Sequence, residues 1–202
     1  MTFFGQPLTI LEAIAAITGL GSVVLAALMH VLNWPVGIVS VVCYFVVFWD
    51  AKLYADAFLQ AMFAGLCFWG WFTWSPGRVS PDAVPVSKPV LNITKLDTLG
   101  AVILTPLVLL GIGLILQNGT DSPVPWLDAL IVSLSLLATF LQARWRIECW
   151  FVWMAVDVVA IPVYWMRALP LTAVLYAIFL CICIRGWRTW NTVRHDVGLN
   201  LV

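Results

Sequence analysis

The sequence predicts an all-α membrane protein in which seven transmembrane helices form two parallel three-helix repeats joined by a linker helix. Three observations carry this expectation. First, 63% of the 202 residues are hydrophobic, with only 10 Lys+Arg and 10 Asp+Glu. Soluble chains average about 45–50% apolar and about 25% charged residues, so this chain belongs in a bilayer. Second, seven apolar stretches approach the ~20 residues that a spanning helix needs. Third, the chain repeats itself: shifted by 116 positions, residues 7–74 fall on residues 123–190 without a gap. Eleven of the last 26 aligned pairs are identical, more than shared apolar composition alone supplies. Among them Gly70-Trp71-x-Thr73-Trp74 meets Gly186-Trp187-x-Thr189-Trp190.

The stretches run at about 8–30, 33–50, 55–75, 97–117, 124–143, 148–167 and 169–190. Met1 to Leu8 carries no Lys or Arg, so no cleaved leader is expected and the first helix reads as permanent. Asn33-Trp34-Pro35 divides the first two stretches, and proline suits a first helical turn because its missing N–H would have had no partner there. Asp50, Lys52 and Asp56 mark the next turn. The segment from Ser75 to Lys95 holds Pro76, Gly77, Pro81, Pro85 and Pro89 and reads as a solvent loop. Pro106 and Pro162 are positions where a helix can kink. The stretch 97–117 has no counterpart in the repeat. Three crossings end on the far side of a membrane, so one extra helix between two three-helix units makes them parallel rather than inverted. The expected organisation is residues 7–74 as the first repeat, 75–122 as a cytoplasmic loop with the linker helix, 123–190 as the second repeat, and 191–202 as a cytoplasmic tail. This 3+1+3 plan is like that of the SWEET sugar transporters.

Basic residues set the direction. Arg78, Lys88, Lys95, Arg144, Arg146, Arg185, Arg188 and Arg194 fall on the side of the C-terminus, against Lys52 and Arg167 opposite. The C-terminus is therefore expected in the cytoplasm and the N-terminus outside. Zero net charge and the absence of a basic run argue against nucleic-acid binding. Cys43, Cys67, Cys149, Cys181 and Cys183 show no Cys-x-x-Cys spacing, and His30 and His195 sit in no ligand cluster, so neither metal nor other cofactor is expected. An embedded enzyme would need a clustered nucleophile, paired aspartates or a histidine-rich metal site, and the chain offers none of these patterns.

Twelve tryptophans are a heavy load. Trp49, Trp126 and Trp165 near outer helix ends, and Trp145 and Trp150 near inner ones, fit aromatic-belt anchors. The pairs Trp71/Trp74 and Trp187/Trp190 differ, because residues three apart share a helix face and the repeat places both pairs on symmetry-related helices. Opposed indoles make a slot for a flat ring, and a cationic ring gains further from the indole face; interface anchoring is the alternative use. Asn191 follows Trp190, lies four residues after Trp187, and offers a carboxamide for hydroxyl or amide groups; a helix cap is its alternative. Polar groups within spans are costly and so tend to be functional. Gln60 has Tyr176 as its repeat partner, while Asp157 faces only Val41 there. Asp157 can attract a cationic substrate or bond a neighbouring helix. Glu12 and Asp128 recur at one repeat position as vestibule or capping residues, and Glu148 is expected to pair with Arg144 and Arg146. Gly70 and Gly186 are positions of close helix approach.

The runs Asn33-Trp34-Pro35-x-Gly37, Asp50-Ala51-Lys52-Leu53-Tyr54-Ala55-Asp56-Ala57, Gln60 and Gly70-Trp71-x-x-Trp74 resemble the first half of the PnuC family of bacterial nicotinamide riboside transporters. Glu148-x-Trp150-x-x-Trp153-x-x-x-Asp157, Tyr164, Tyr176 and Gly186-Trp187-x-x-Trp190-Asn191 continue the likeness through the second half. The resemblance implies a homotrimer of seven-helix subunits in the bacterial inner membrane. It implies facilitated diffusion of nicotinamide riboside, with the substrate held between the repeats and trapped afterwards by cytoplasmic phosphorylation. It carries substrate binding over to Trp71, Trp74, Gln60, Tyr176, Trp187, Trp190 and Asn191, with Asp157 as a charge partner. The runner-up cargo is thiamine, whose ring is also flat and cationic, or less readily riboflavin; proton-coupled uptake through Asp157 is a further alternative.

Overall fold

A computed structural model describes residues 2–3, 6–7, 10–50, 54–75, 90–120, 122–166 and 170–199. Lys52, Arg167, and the loop residues 76–89 with Arg78 and Lys88 lie outside the described residues. Two short strands, β1 (Thr2–Phe3) and β2 (Gln6–Pro7), pair antiparallel ahead of the first helix, an element the apolar pattern gave no reason to expect. Seven helices follow among the described residues: α1 (Ile10–Ala27), α2 (Asn33–Asp50), α3 (Tyr54–Trp74), α4 (Lys95–Gly119), α5 (Pro125–Ala143), α6 (Cys149–Met166) and α7 (Pro170–Leu199). Six are long and apolar enough to cross a membrane by length and composition. The exception is α3, diluted by Asp56, Gln60, Thr73 and three tryptophans. The chain past residue 190, read as a tail, is a continuation of α7 through Leu199.

The helices fall into two compact units, α1–α3 and α4–α7. In the first, α2 packs against both α1 and α3. Small hydroxyls let the backbones approach: Ser40 Oγ donates to Ala15 O at 2.7 Å and Ser22 Oγ to Asn33 O at 2.9 Å. In the second unit each helix packs against the next in sequence. Its core gathers Ile131 of α5 with Val156, Ala160 and Val163 of α6. A Cβ on Gly113 would lie 2.4 Å from the Trp126 ring, so α4 and α5 meet closely there. Thr94 and Asp97 form a capping box that satisfies the first free N–H groups of α4.

The turns after α1 and α5 share one geometry at positions 116 apart. Met29 (φ 57°) and Trp145 (φ 58°) are left-handed, a conformation that costs a non-glycine residue about 1 kcal/mol or more. His30 N–H donates to Leu25 O at 2.8 Å, and Met29 N–H to Ala26 O at 2.9 Å. The second copy matches: Arg146 N–H donates to Leu141 O at 2.9 Å, and Trp145 N–H to Gln142 O at 3.0 Å. This paired closure satisfies the last carbonyls of each helix. It also aims Trp145 at Trp190, 5.5 Å away between ring centroids.

Candidate functional site

The tryptophan pairs do not form the two uniform stripes expected of them. Three residues advance a helix by about 300°, which leaves the two indoles about 60° apart around the axis. That offset suffices to divide their environments. Trp74 is buried, whereas Trp71 is exposed. Trp190 is fully buried, whereas Trp187 is half-buried and meets Phe151 at 5.8 Å.

The buried member of each pair packs within its own unit on a tryptophan from the start of the preceding helix. Trp74 meets Trp34 at 5.3 Å between centroids, and Trp190 meets Trp150 at 5.6 Å, both at 87°. Edge-to-face packing of this kind contributes about 0.5–1.5 kcal/mol beyond burial. Glycine makes it possible. A Cβ on Gly70 would come within 2.5 Å of the Trp34 ring, and one on Gly186 equally close to Trp150. Trp34, Gly70 and Trp74 therefore form one interlocked cluster, and Trp150, Gly186 and Trp190 repeat it. Trp150 is not the belt anchor expected from its position near a helix end, since only 1% of it is exposed. Nothing in the local sequence around Trp34 marks the glycine it faces, 36 residues on. Trp49 and Trp165 are exposed, as lipid-facing anchors would be. Trp126 is exposed too and donates through Nε1 to Gln117 Oε1 at 3.0 Å.

Asn191 is not a helix cap, because α7 runs on past it. Its Oδ1 accepts from Arg194 Nη2 at 2.7 Å, and Arg194 Nη1 reaches Asn92 Oδ1. Asn92 O accepts in turn from Arg146 Nη1 at 2.9 Å. The expected ion pairing of Glu148 with Arg144 and Arg146 is replaced. Both arginines pair with Asp97, Arg144 Nη1 to Oδ1 at 2.8 Å and Arg146 Nε to Oδ2 at 2.9 Å, while Glu148 accepts from the Ile93 N–H at 2.9 Å. Asp97 wins because its side chain has no exposed surface and so must be matched, and because Leu91 bridges to Arg146 and brings the chain before α4 alongside the α5–α6 turn. Its partners lie 47 and 49 residues away, beyond any local pattern.

Asp157 is buried, and Cys183 Sγ donates to its Oδ2 at 3.5 Å across α6 and α7. Tyr176 stacks on Tyr164 at 5.1 Å and meets Phe179 edge-on at 5.8 Å. Gln60 is half-buried on α3. Gln142, not singled out in the sequence, is buried and accepts from Trp153 Nε1 at 3.1 Å. Glu12 and Asp128 lie in the first turns of α1 and α5, where carboxylates suit the helix dipole, and Asp128 also accepts from Ser122 Oγ. Within the second unit, then, the structure brings Trp187, Trp190 and Asn191 together along α7 and ties Asn191 to a polar chain ending at Asp97. Indole faces beside a carboxamide can hold a flat ring that also carries hydrogen-bonding groups.

A family model described as nicotinamide mononucleotide transporter matches residues 9–192. The nicotinamide riboside transporter PnuC of Escherichia coli (strain K12) is 25% identical over 215 residues, covering 96% of this chain and 90% of the relative. The riboflavin/roseoflavin transporter RibM of Streptomyces davaonensis is 26% identical over 189 residues, covering 93% of this chain and 87% of the relative. Among solved structures, the crystal structure of the vitamin B3 transporter PnuC covers 92% of this chain and 82% of its own, with a TM-score of 0.69 at 24% identity. The family match takes in α1 through α6 and most of α7, and the chain belongs to the nicotinamide mononucleotide transporter family.

Proposed function

We propose that this protein is a uniporter for nicotinamide riboside, carrying it down its gradient so that cytoplasmic phosphorylation can trap it. The observation that carries the reading is the α7 constellation of Trp187, Trp190 and Asn191, in a chain whose relatives include a nicotinamide riboside transporter matched along nearly its whole length. The substrate has a flat cationic pyridinium, a carboxamide and a ribose. Trp187, the accessible member of its pair, offers a face to the ring in the second unit, and Trp71 holds the same position in the first; a desolvated cation gains about 2 kcal/mol from such a face. Trp74 and Trp190 back them from inside each unit. Asn191 and Tyr176 supply hydrogen bonds for the carboxamide and the ribose, Asp157 beside Cys183 contributes charge, and Gln60 is the polar candidate of the first unit.

The same reading takes the helices as two parallel three-helix repeats with α4 as linker, the subunit as one of three, and the location as the bacterial inner membrane with the C-terminus in the cytoplasm. The matching turns after α1 and α5 support the repeat. The gathering of Arg144, Arg146 and Arg194 at one end of the second unit supports the direction.

The likeness to RibM favours riboflavin as a second reading, since a flavin also presents a flat ring and polar groups. Calorimetric titration of the purified protein with nicotinamide riboside, riboflavin and thiamine separates these. Binding of nicotinamide riboside alone is expected, weakened at least about tenfold by Trp187→Ala. Binding of riboflavin or thiamine in its place would overturn the reading.

A further inference from the structure

We infer that Arg194 is a positioning and specificity-determining residue: it holds Asn191 as a hydrogen-bond donor, so that the site selects a substrate oxygen that accepts. The inference rests on the reading above, in which Asn191 meets the substrate. A guanidinium has five N–H donors and no acceptor. The atom of Asn191 that faces Arg194 Nη2 at 2.7 Å is therefore the carboxamide oxygen, and Nδ2 with its two hydrogens points the other way. Among the described residues nothing accepts from that Nδ2. Arg194 is itself fixed. Its other terminal nitrogen, Nη1, donates to Asn92 Oδ1, and the Asn92 carbonyl accepts from Arg146, whose Nε pairs with the fully buried side chain of Asp97. Every link in this chain belongs to the second unit, so the orientation of the Asn191 amide is set before any substrate arrives. An amide free to rotate offers either its oxygen or its NH₂ to one direction; one pinned in this way presents its NH₂ on the side away from Arg194. The matching substrate group is a carbonyl or hydroxyl oxygen.

The test uses the full chain in detergent, nicotinamide riboside as the probe, and two measurements per variant: affinity by calorimetric titration and the thermal unfolding midpoint. Asn191→Asp keeps, and strengthens, the contact to Arg194 but removes both N–H donors. It is expected to lose affinity by about tenfold or more while the midpoint holds or rises, because a hydrogen bond left unmade at a desolvated site costs about that much. Arg194→Ala is expected to weaken binding severalfold in the native background and not at all in an Asn191→Ala background, with Arg194→Lys restoring part of the loss. Asn191→Asp with native affinity, or Arg194→Ala and Asn191→Ala losses that simply add, would overturn the inference. Should the Ala variant at Arg194 unfold, the Asp and Lys variants still decide. A native protein that binds no nicotinamide riboside overturns the functional reading, whereas native binding left intact by Asn191→Asp overturns only the role of Arg194.

Discussion

At the scale of single residues, glycine and tryptophan define each other in both units. The Trp34 ring fills the space a Cβ would take at Gly70, and its indole nitrogen is buried with no hydrogen-bond partner among the described residues. Gly70→Ala must therefore push α2 and α3 apart, and overpacking of this kind costs about 1–3 kcal/mol. A lowered thermal midpoint in detergent is expected. Adding Trp34→Phe should recover part of it, because the smaller ring frees the space and no hydrogen bond is lost; a double variant no more stable than Gly70→Ala would refute the interlock. The tryptophan pairs give a second contrast. Trp190→Ala empties a buried site between Trp145 and Trp150 and is expected to cost about 3–5 kcal/mol of stability as well as binding. Trp187→Ala should reduce binding with little change in the midpoint. The sequence marked all four indoles as one kind of residue, since spacing shows that they share a face but not how far around it each one sits.

At the scale of elements, the polar chain at one end of the second unit ties together the start of α4, the α5–α6 turn and the C-terminal part of α7. Its members come from positions 92, 97, 144, 146, 191 and 194, and their sequence separations hid the arrangement. Arg144 and Arg146 suggested a local pairing with Glu148, yet a fully buried carboxylate outcompetes a half-buried one for two guanidinium groups. Asp97→Asn removes the charge and leaves Arg146, whose side chain is 9% exposed, without its counter-ion. A loss of about 3 kcal/mol is expected from breaking a buried pair in this way. Arg144→Ala should cost about 1 kcal/mol or less, since the Arg144 side chain is 36% exposed. Thermal unfolding of both variants checks the ranking, and equal losses would contradict it. Helix positions, by contrast, were legible to within a few residues except for the end of α7. There the repeat stops at residue 190, which set the expected boundary of the tail, whereas the helix runs on to Leu199.

At the scale of the whole molecule, composition and the 116-residue offset carried the class of protein, because an apolar majority gathered into long apolar helices, six of them of spanning length and composition, leaves few other homes for such a chain. The offset also reappears in the backbone, where Met29 and Trp145 take the same left-handed turn. What composition alone left open was the cargo, since indoles accept any flat ring. The expected cytoplasmic C-terminus is checked by a reporter fused after residue 202 that is active only in the cytoplasm; an inactive fusion of a correctly inserted protein would reverse the orientation. The most direct test of the central claim is flux. Empty proteoliposomes holding the purified protein are offered labelled nicotinamide riboside with no ion gradient, and internal label is followed to steady state. Saturable entry that stops at equal concentrations on the two sides, unchanged by an imposed proton gradient, is the expected result. No entry, accumulation that needs the proton gradient, or saturable uptake of riboflavin or thiamine instead would contradict it.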